Sequence, residues 1–261
     1  MIEKTCPVHG IPFVGEKCPK KGCTERPLVS TTIYWCKHHK IPLFDRECPL
    51  CKEEGLENTE GEYLSTDVRP VFPEEKLLLA ILEKEKDPLA YDNKSVWCSG
   101  NGYFIDGEKL NTSIGEWNSK SLIEIKKIKN KYDKYVKKIN TTYFDEIISK
   151  FIKANFDRYN YITDEAIAYI QSFSESYNLD EMFVSFSGGK DSTVTSDLVT
   201  RAFSTNLVTH IFGDTTLEFP LTYEYRERFA RDHRVLRAKN YEKNFEELVK
   251  QIGPPSRVMR W

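Results

Sequence analysis

Residues 185–193 read SFSGGKDST and follow directly on the apolar run Met182-Phe183-Val184. A buried strand that breaks at Ser187-Gly188-Gly189 and then enters a helix aims several backbone N–H groups and the positive end of the helix at one point, which suits a phosphate. The two glycines admit left-handed or close-approach backbone that a side chain would block. Ser187, Ser192 and Thr193 add hydroxyl donors and Lys190 adds a charge. The Walker loop is excluded, because the Gly-x4-Gly-Lys spacing is absent. The bland alternative is a Gly-rich turn with a Ser/Asp helix cap; the position between strand and helix favours the phosphate loop.

The pattern after the loop alternates. Asp191 to Phe203 reads as a helix, Leu207 to Phe212 as a buried strand, Phe219 to Asp232 as a helix, Val235 to Ala238 as a strand and Asn244 to Ile252 as a helix. Such alternation predicts an α/β fold with a doubly wound parallel sheet, whose ligands sit beyond the carboxyl ends of the strands. Only three strand signals occur from about Leu179 onward, so the sheet is expected to be C-terminally truncated, with an edge that needs cover.

Of seven cysteines, six lie in the first 51 residues, interleaved with histidine. That is metal spacing in a reducing cytoplasm more than a disulfide framework. Cys6-Pro-Val-His9-Gly-Ile11-Pro12 aligns with Cys36-Lys-His-His39-Lys-Ile41-Pro42 at an offset of 30 residues, continued by Cys18-Pro19 and Cys48-Pro49 and closed by Cys23 and Cys51. The ligand sets are therefore Cys6, His9, Cys18, Cys23 and Cys36, His39, Cys48, Cys51, the register choosing His39 over His38. Three thiolates and an imidazole with no open position suit tetrahedral structural zinc, Zn2+ at two sites, with iron as the lesser alternative. With so few apolar residues, metal binding is expected to supply much of the folding free energy. Cys98, in the apolar run Val96-Trp97-Cys98, reads as a small buried hydrophobe.

The acidic, glycine-containing stretch 52–62 reads as a linker. Beyond it, a helix over Glu74 to Glu85 and short strands at Val96-Trp97-Cys98 and Tyr103-Phe104-Ile105, joined by Gly-rich turns, predict a small α+β module. Lys120 to Lys138 holds eight lysines against Glu124 and Asp133, with Ile125, Ile128, Tyr132, Tyr135 and Ile139 at helical spacing. This basic amphipathic helix suits either a tRNA or DNA backbone or simply a solvated lysine face. Two further helices are expected at Tyr143 to Phe156 and Asp164 to Tyr177, the second capped by Thr163. His210 and His233 read as structural. The expected domains are tandem zinc-ribbon knuckles (1–55), the α+β module (62–118), a helical linker region (119–178) and an incomplete nucleotide-binding domain (179–261). No apolar run approaches the roughly 18 residues of a membrane helix, and no signal-peptide order opens the chain. A soluble, cytoplasmic protein without a membrane partner is expected.

The string Ser187-Gly188-Gly189-Lys190-Asp191-Ser192 resembles the PP-loop, SGGxDS, of the adenine nucleotide alpha hydrolase superfamily, and within it the phosphoadenosine phosphosulfate (PAPS) reductase-like family. Gly213-Asp214-Thr215-Thr216-Leu217-Glu218-Phe219-Pro220 resembles that family's D-T-G-L-E-F-P-E-T segment, with Thr216 in place of the usual Gly and Leu221 in place of the usual Glu. The stretch Gly253 to Trp261 resembles the segment ending in Trp-Cys-Thr, and its Arg257 and Arg260 suit a phosphate or sulfate, which a guanidinium fork grips bidentately. Some members of the family also carry zinc ribbons and a small insert before the loop, an order similar to this one.

The resemblance implies an adenine nucleotide, ATP or PAPS, held with Mg2+ by Ser185, Ser187, Gly188, Gly189, Lys190, Asp191, Ser192, Thr193, Asp214, Arg257 and Arg260, with Lys190, Asp191 and Ser192 as catalytic residues. It implies an enzyme that cleaves ATP between the α- and β-phosphates and adenylylates a substrate, in sulfur transfer or nucleic-acid modification. Two alternatives stand beside it. One is a sulfonucleotide reductase of sulfate assimilation; the other is a zinc-ribbon adaptor for nucleic acid or protein whose nucleotide domain senses ATP. A protein partner or self-association is compatible with each.

Overall fold

The computed structural model describes residues 3–25, 27–100, 102–111 and 117–255. The chain forms two compact units, Met1–Tyr159 and Asn160–Trp261.

The first unit opens with β1 (Glu3–Thr5), β2 (Pro12–Val14) and β3 (Leu28–Val29), an antiparallel sheet in the order β2-β1-β3. The second repeat gives β4 (Ile33–Cys36), β5 (Ile41–Leu43) and α1 (Pro49–Glu53), and β4 pairs on its other side with β6 (Glu62–Ser65). The acidic stretch 52–62 therefore folds back onto the second repeat, helped by a Glu47–Glu60 bridge, and is not a free linker. Gly61 permits this return, because a Cβ there would stand 2.8 Å from the Tyr34 Cβ.

The two repeats differ in packing. Ile33, Trp35, Ile41 and Leu43 are almost fully buried and form one core with Leu50, Trp97 and Ile147. Fully burying one such side chain is worth about 1.5–3 kcal/mol. The premise that this segment has few apolar residues to pack is thus corrected for the second repeat, whose core draws on residues far along the chain. No comparable cluster surrounds the first repeat among the described residues.

Beyond β6 the small module is present as β7 (Arg69–Pro70), α2 (Pro73–Leu82), β8 (Val96–Ser99), β9 (Gly102–Ile105) and β10 (Glu108–Lys109), in the sheet order β10-β9-β8-β7. Asp106 and Gly107, both with positive φ (51° and 91°), make the two-residue turn between β9 and β10. Cys98 is buried against Val71 and Leu79.

Helix α3 (Leu122–Tyr135) follows, opened by a Ser121–Glu124 capping box. Helix α4 (Thr142–Ala154) lays Ile147 and Phe151 on the core, with the Phe151 and Trp97 rings 4.9 Å apart. Asn155 then ties its end to β5: its side chain accepts from Phe44 N (2.8 Å) and donates to Pro42 O (3.0 Å).

Helix α5 runs unbroken from Phe156 to Ser172. The expected second start at Thr163 is wrong. Thr163 lies buried in mid-helix, because no Gly or Pro between 156 and 172 interrupts the backbone and a cap-like residue alone does not stop a helix.

The second unit alternates β11 (Phe183–Ser185), α6 (Lys190–Phe203), β12 (Thr209–Asp214), α7 (Pro220–Phe229), β13 (Val235–Lys239) and α8 (Phe245–Ile252). All strand pairs are parallel, in the order β11-β12-β13, so the expected α/β fold with a parallel sheet is present. Val184, Val208, His210 and Phe212 point to one face, at the two-residue period of a strand. There Val184 and Val208 meet Ile170, Val199 and Phe203, while the Phe186 ring stacks on Phe229 at 4.2 Å. Phe183 and Leu236, of the opposite parity, are exposed. His210 is structural as expected: its Nε2 lies 2.8 Å from the Ser196 hydroxyl, and burial, reinforced by nearby His233, holds its pKa below the ordinary value. No helix among the described residues is long and apolar enough to cross a membrane.

Candidate nucleotide loop and metal centres

The loop at the carboxyl end of β11 is shaped by its own hydroxyls. Ser187 N donates to Ser192 Oγ (3.2 Å), Gly189 N to Ser187 Oγ (3.3 Å), and the Ser192 and Thr193 hydroxyls donate to Gly189 O (3.0 and 2.9 Å). Gly188 sits at φ +75°, in the left-handed region, and Gly189 is the N-cap of α6. The first N–H groups of a helix lack carbonyl partners. Here Gly189's is taken by Ser187, and those of Lys190, Asp191 and Ser192 stand at the mouth of the loop. The Lys190 ammonium and the Asp191 carboxylate form a 2.5 Å pair whose side chains are each 88% exposed. Such a solvated pair is worth little and gives way easily to a ligand. Ser185, Ser187 and Gly189 are also exposed, whereas Gly188, Ser192 and Thr193 are half-buried.

Two residues that sequence reasoning did not single out back this loop. Thr222 and Tyr225 of α7 face Gly188, and the Tyr225 hydroxyl lies 3.1 Å from Thr193 Oγ1. No motif marks them; only the docking of α7 brings them there.

Asp214 ends β12 with its side chain fully buried. Its Oδ1 accepts from the Tyr223 hydroxyl and from Thr216 N, both at 2.8 Å, and its Oδ2 accepts from Arg237. Burial opposes its charge, but the Tyr223, Thr216 and Arg237 contacts outweigh burial and hold the carboxyl below the usual carboxylate range. Both oxygens are thus committed to the protein, so Asp214 braces the turn after β12. That turn places Thr216 at φ +67°, a strained position for a β-branched residue. The Thr216 hydroxyl accepts from Phe245 N (3.0 Å) and links the turn to α8.

Beyond the ends of β12 and β13 opens a cavity of about 640 Å3, lined by Gly213, Ala238, Lys239, Lys243, Phe245 and Leu248 among others. Size, apolar walls and a few polar groups suit a small-molecule site. A smaller apolar hollow, about 360 Å3 around Phe173, Met182, Val199 and Val208, lies at the amino ends of β11 and β12. Arg257 and Arg260 lie outside the described residues.

Both cysteine–histidine tetrads assemble as the repeat predicts, the four ligand atoms of each within 4.8 Å of one another. In the first, Cys6 Sγ and Cys23 Sγ are 3.7 Å apart, and His9 Nδ1 lies 3.2 Å from Cys6 and 3.6 Å from Cys18. In the second, His39 Nδ1 lies 3.6, 3.7 and 3.3 Å from Cys36, Cys48 and Cys51. A tetrahedral zinc with ordinary bond lengths sets sulfur–sulfur edges of about 3.8 Å and sulfur–nitrogen edges of about 3.6 Å. The donor sets fit.

Their surroundings differ. All four ligands of the second tetrad are buried, His38 is exposed, and His39 Nε2 lies 3.2 Å from Glu54 Oε1, a contact that leaves Nδ1 free for a metal. In the first, His9 is exposed and Cys23 half-buried. Within the second tetrad, a hydrogen bond from Cys48 lowers the Cys36 thiol below its ordinary value and raises that of Cys48.

The profile of the phosphoadenosine phosphosulfate reductase domain matches residues 181–261, which hold the loop, Asp214 and the cavity. Over this segment the chain is similar to the PP-loop, PAPS reductase-like family. Two curated relatives come from Methanocaldococcus jannaschii. The uncharacterized protein MJ0973 is 30% identical over 118 residues, covering 44% of this chain and 28% of that protein. The uncharacterized protein MJ0066 is 33% identical over 117 residues, covering 45% of this chain and 24% of that protein. The aligned part of this chain thus spans about a quarter of each relative's length. No solved structure matches the chain.

Proposed function

We propose that the second unit is the nucleotide-binding part of an enzyme that holds ATP by its phosphate tail and directs a substrate oxygen to the α-phosphate, releasing pyrophosphate. The observation that carries this reading is the intact loop, with its left-handed Gly188 and the open N–H groups of Lys190, Asp191 and Ser192. The β- and γ-phosphates would accept from these groups and from the Ser187 and Ser192 hydroxyls, while Lys190 would leave Asp191 to pair with phosphate. The nucleoside would lie toward the cavity beyond β12 and β13, where ligands of parallel sheets settle. Charge stabilisation by fixed donors then supplies the catalysis, and Asp191, exposed at the helix start, is positioned to hold Mg2+ through water. Bound Mg2+ neutralises charge on the phosphate tail.

The two tetrads would hold structural zinc, which ties the ends of each knuckle together. Sulfonucleotide reduction is the second reading, favoured by the matching domain profile. Within this chain it lacks a thiol, since six cysteines stand in the tetrads and Cys98 is buried in the first unit. Calorimetry with Mg-ATP and with PAPS, followed by product analysis, tests the proposal. ATP binding with AMP and pyrophosphate as products supports adenylylation, sulfite release from PAPS supports reduction, and absence of heat with either nucleotide refutes the site.

A further inference from the structure

We propose that the solvent face of α3 is a docking surface for the phosphate backbone of a nucleic acid. The inference goes beyond the nucleotide reading and needs no ATP for its test.

The net charge of −2 conceals a sharp division: residues 120–138 carry a net +6, leaving −8 on the remainder of the chain. Lys126, Lys127, Lys129 and Lys134 are all exposed, and no ion pair to any of them occurs among the described residues. At 100° per residue these four lysines occupy one broad arc, opposite Ile128, Tyr132 and Tyr135, which are half-buried. The helix also has neighbours in α2. Of the two acidic residues in the segment, Glu124 is engaged by Ser121 at the helix start. Asp133, also exposed, lies within the lysine arc, so what faces water is a row of four ammonium groups with one carboxylate among them, and the face keeps a net positive charge.

Geometry selects the partner. From Lys126 to Lys134 the helix rises about 12 Å, a length over which a duplex displays about seven phosphates. A membrane surface fits less well, because the half-buried arc of α3 faces protein and exposed apolar residues are confined to Leu122, Ile123 and Ile125 near its start. Lys134 and Lys138 lie 5.5 and 5.1 Å from the Tyr135 ring centroid, so a single ring attracts both cations.

The test uses the full, zinc-loaded chain with DNA and RNA duplexes of about 20 base pairs, titrated across salt, since each lysine–phosphate contact adds about 0.9 to the salt slope on duplex DNA. The wild type is expected to bind at least one duplex with a slope of about 3 or more, and the quadruple variant Lys126→Gln, Lys127→Gln, Lys129→Gln, Lys134→Gln to lose about 3 units of slope and at least about 100-fold in affinity at low salt. Single variants, each expected to lose about one unit, keep the test decisive if the quadruple variant misfolds. The inference is overturned by absence of duplex binding, by an unchanged slope in the variants, or by lysine-dependent binding to phosphatidylserine vesicles without duplex binding.

Discussion

Substituting alanine at Gly188 isolates the backbone bend on which the nucleotide reading depends. The residue sits at φ +75°, where an L-residue costs about 1–2 kcal/mol. Crowding adds little, because a Cβ would stand 3.4 Å from Thr222 Cγ2 and 3.6 Å from Tyr225 Cδ1, ordinary contact distances. One strain therefore has two places to appear. If the bend persists in the free protein, the second unit loses about 1–2 kcal/mol of stability and Mg-ATP affinity is unchanged. If the free loop relaxes, stability is spared and nucleotide must restore the bend, weakening binding by about 5- to 30-fold. The two losses are expected to add up to the same strain, measured by urea unfolding and by calorimetry. Gly188→Asn, which tolerates the left-handed region, should recover part of both. An alanine variant as stable and as tightly binding as the wild type refutes the argument, because the bend would then have no bearing on either.

Two further outcomes follow from the environments described above. A chelator should remove zinc in two phases, about one equivalent at least 10-fold faster than the other, with Cys6→Ser abolishing the fast phase and Glu54→Gln accelerating the slow one, as loss of an outer carboxylate costs roughly 10-fold or more in affinity; a single phase in the wild type, followed with a metal-sensitive dye, opposes the assignment. Asp214→Asn should destabilise the second unit by about 1.5–3 kcal/mol near neutral pH, toward the lower value because Arg237 is partly exposed. Since the folded carboxyl is held below its unfolded value, its stabilisation is full above about pH 4 and is lost as pH falls through the folded value. The gap between wild type and variant should therefore narrow in acid; a gap constant from pH 7 to 3 by urea midpoint contradicts it.

What could be read without coordinates was local in sequence. The loop 187–192 and the two ligand sets announce themselves because their chemistry depends on spacing within one turn or one hairpin, and a repeat at an offset of 30 residues is visible in the letters alone. Contacts made by distant segments were not legible. Tyr223 and Arg237 reach Asp214 from α7 and β13, and nothing in their neighbours marks them as partners of a carboxylate. The core beneath the second tetrad was hidden because Trp97 and Phe151 complete it from far along the chain. Thr163 misled because a capping residue type and an interior threonine look alike until the helix before it is known to continue.

The duplication at the start of the chain leaves two copies of one donor set in unlike media, one enclosed by side chains and the other open to water at His9 and Cys23. Ligand chemistry is held constant while solvent access varies, all inside a single polypeptide. Each tetrad thus serves as the reference for its twin, and any disparity in how firmly they grip an ion reports the influence of the shell around them.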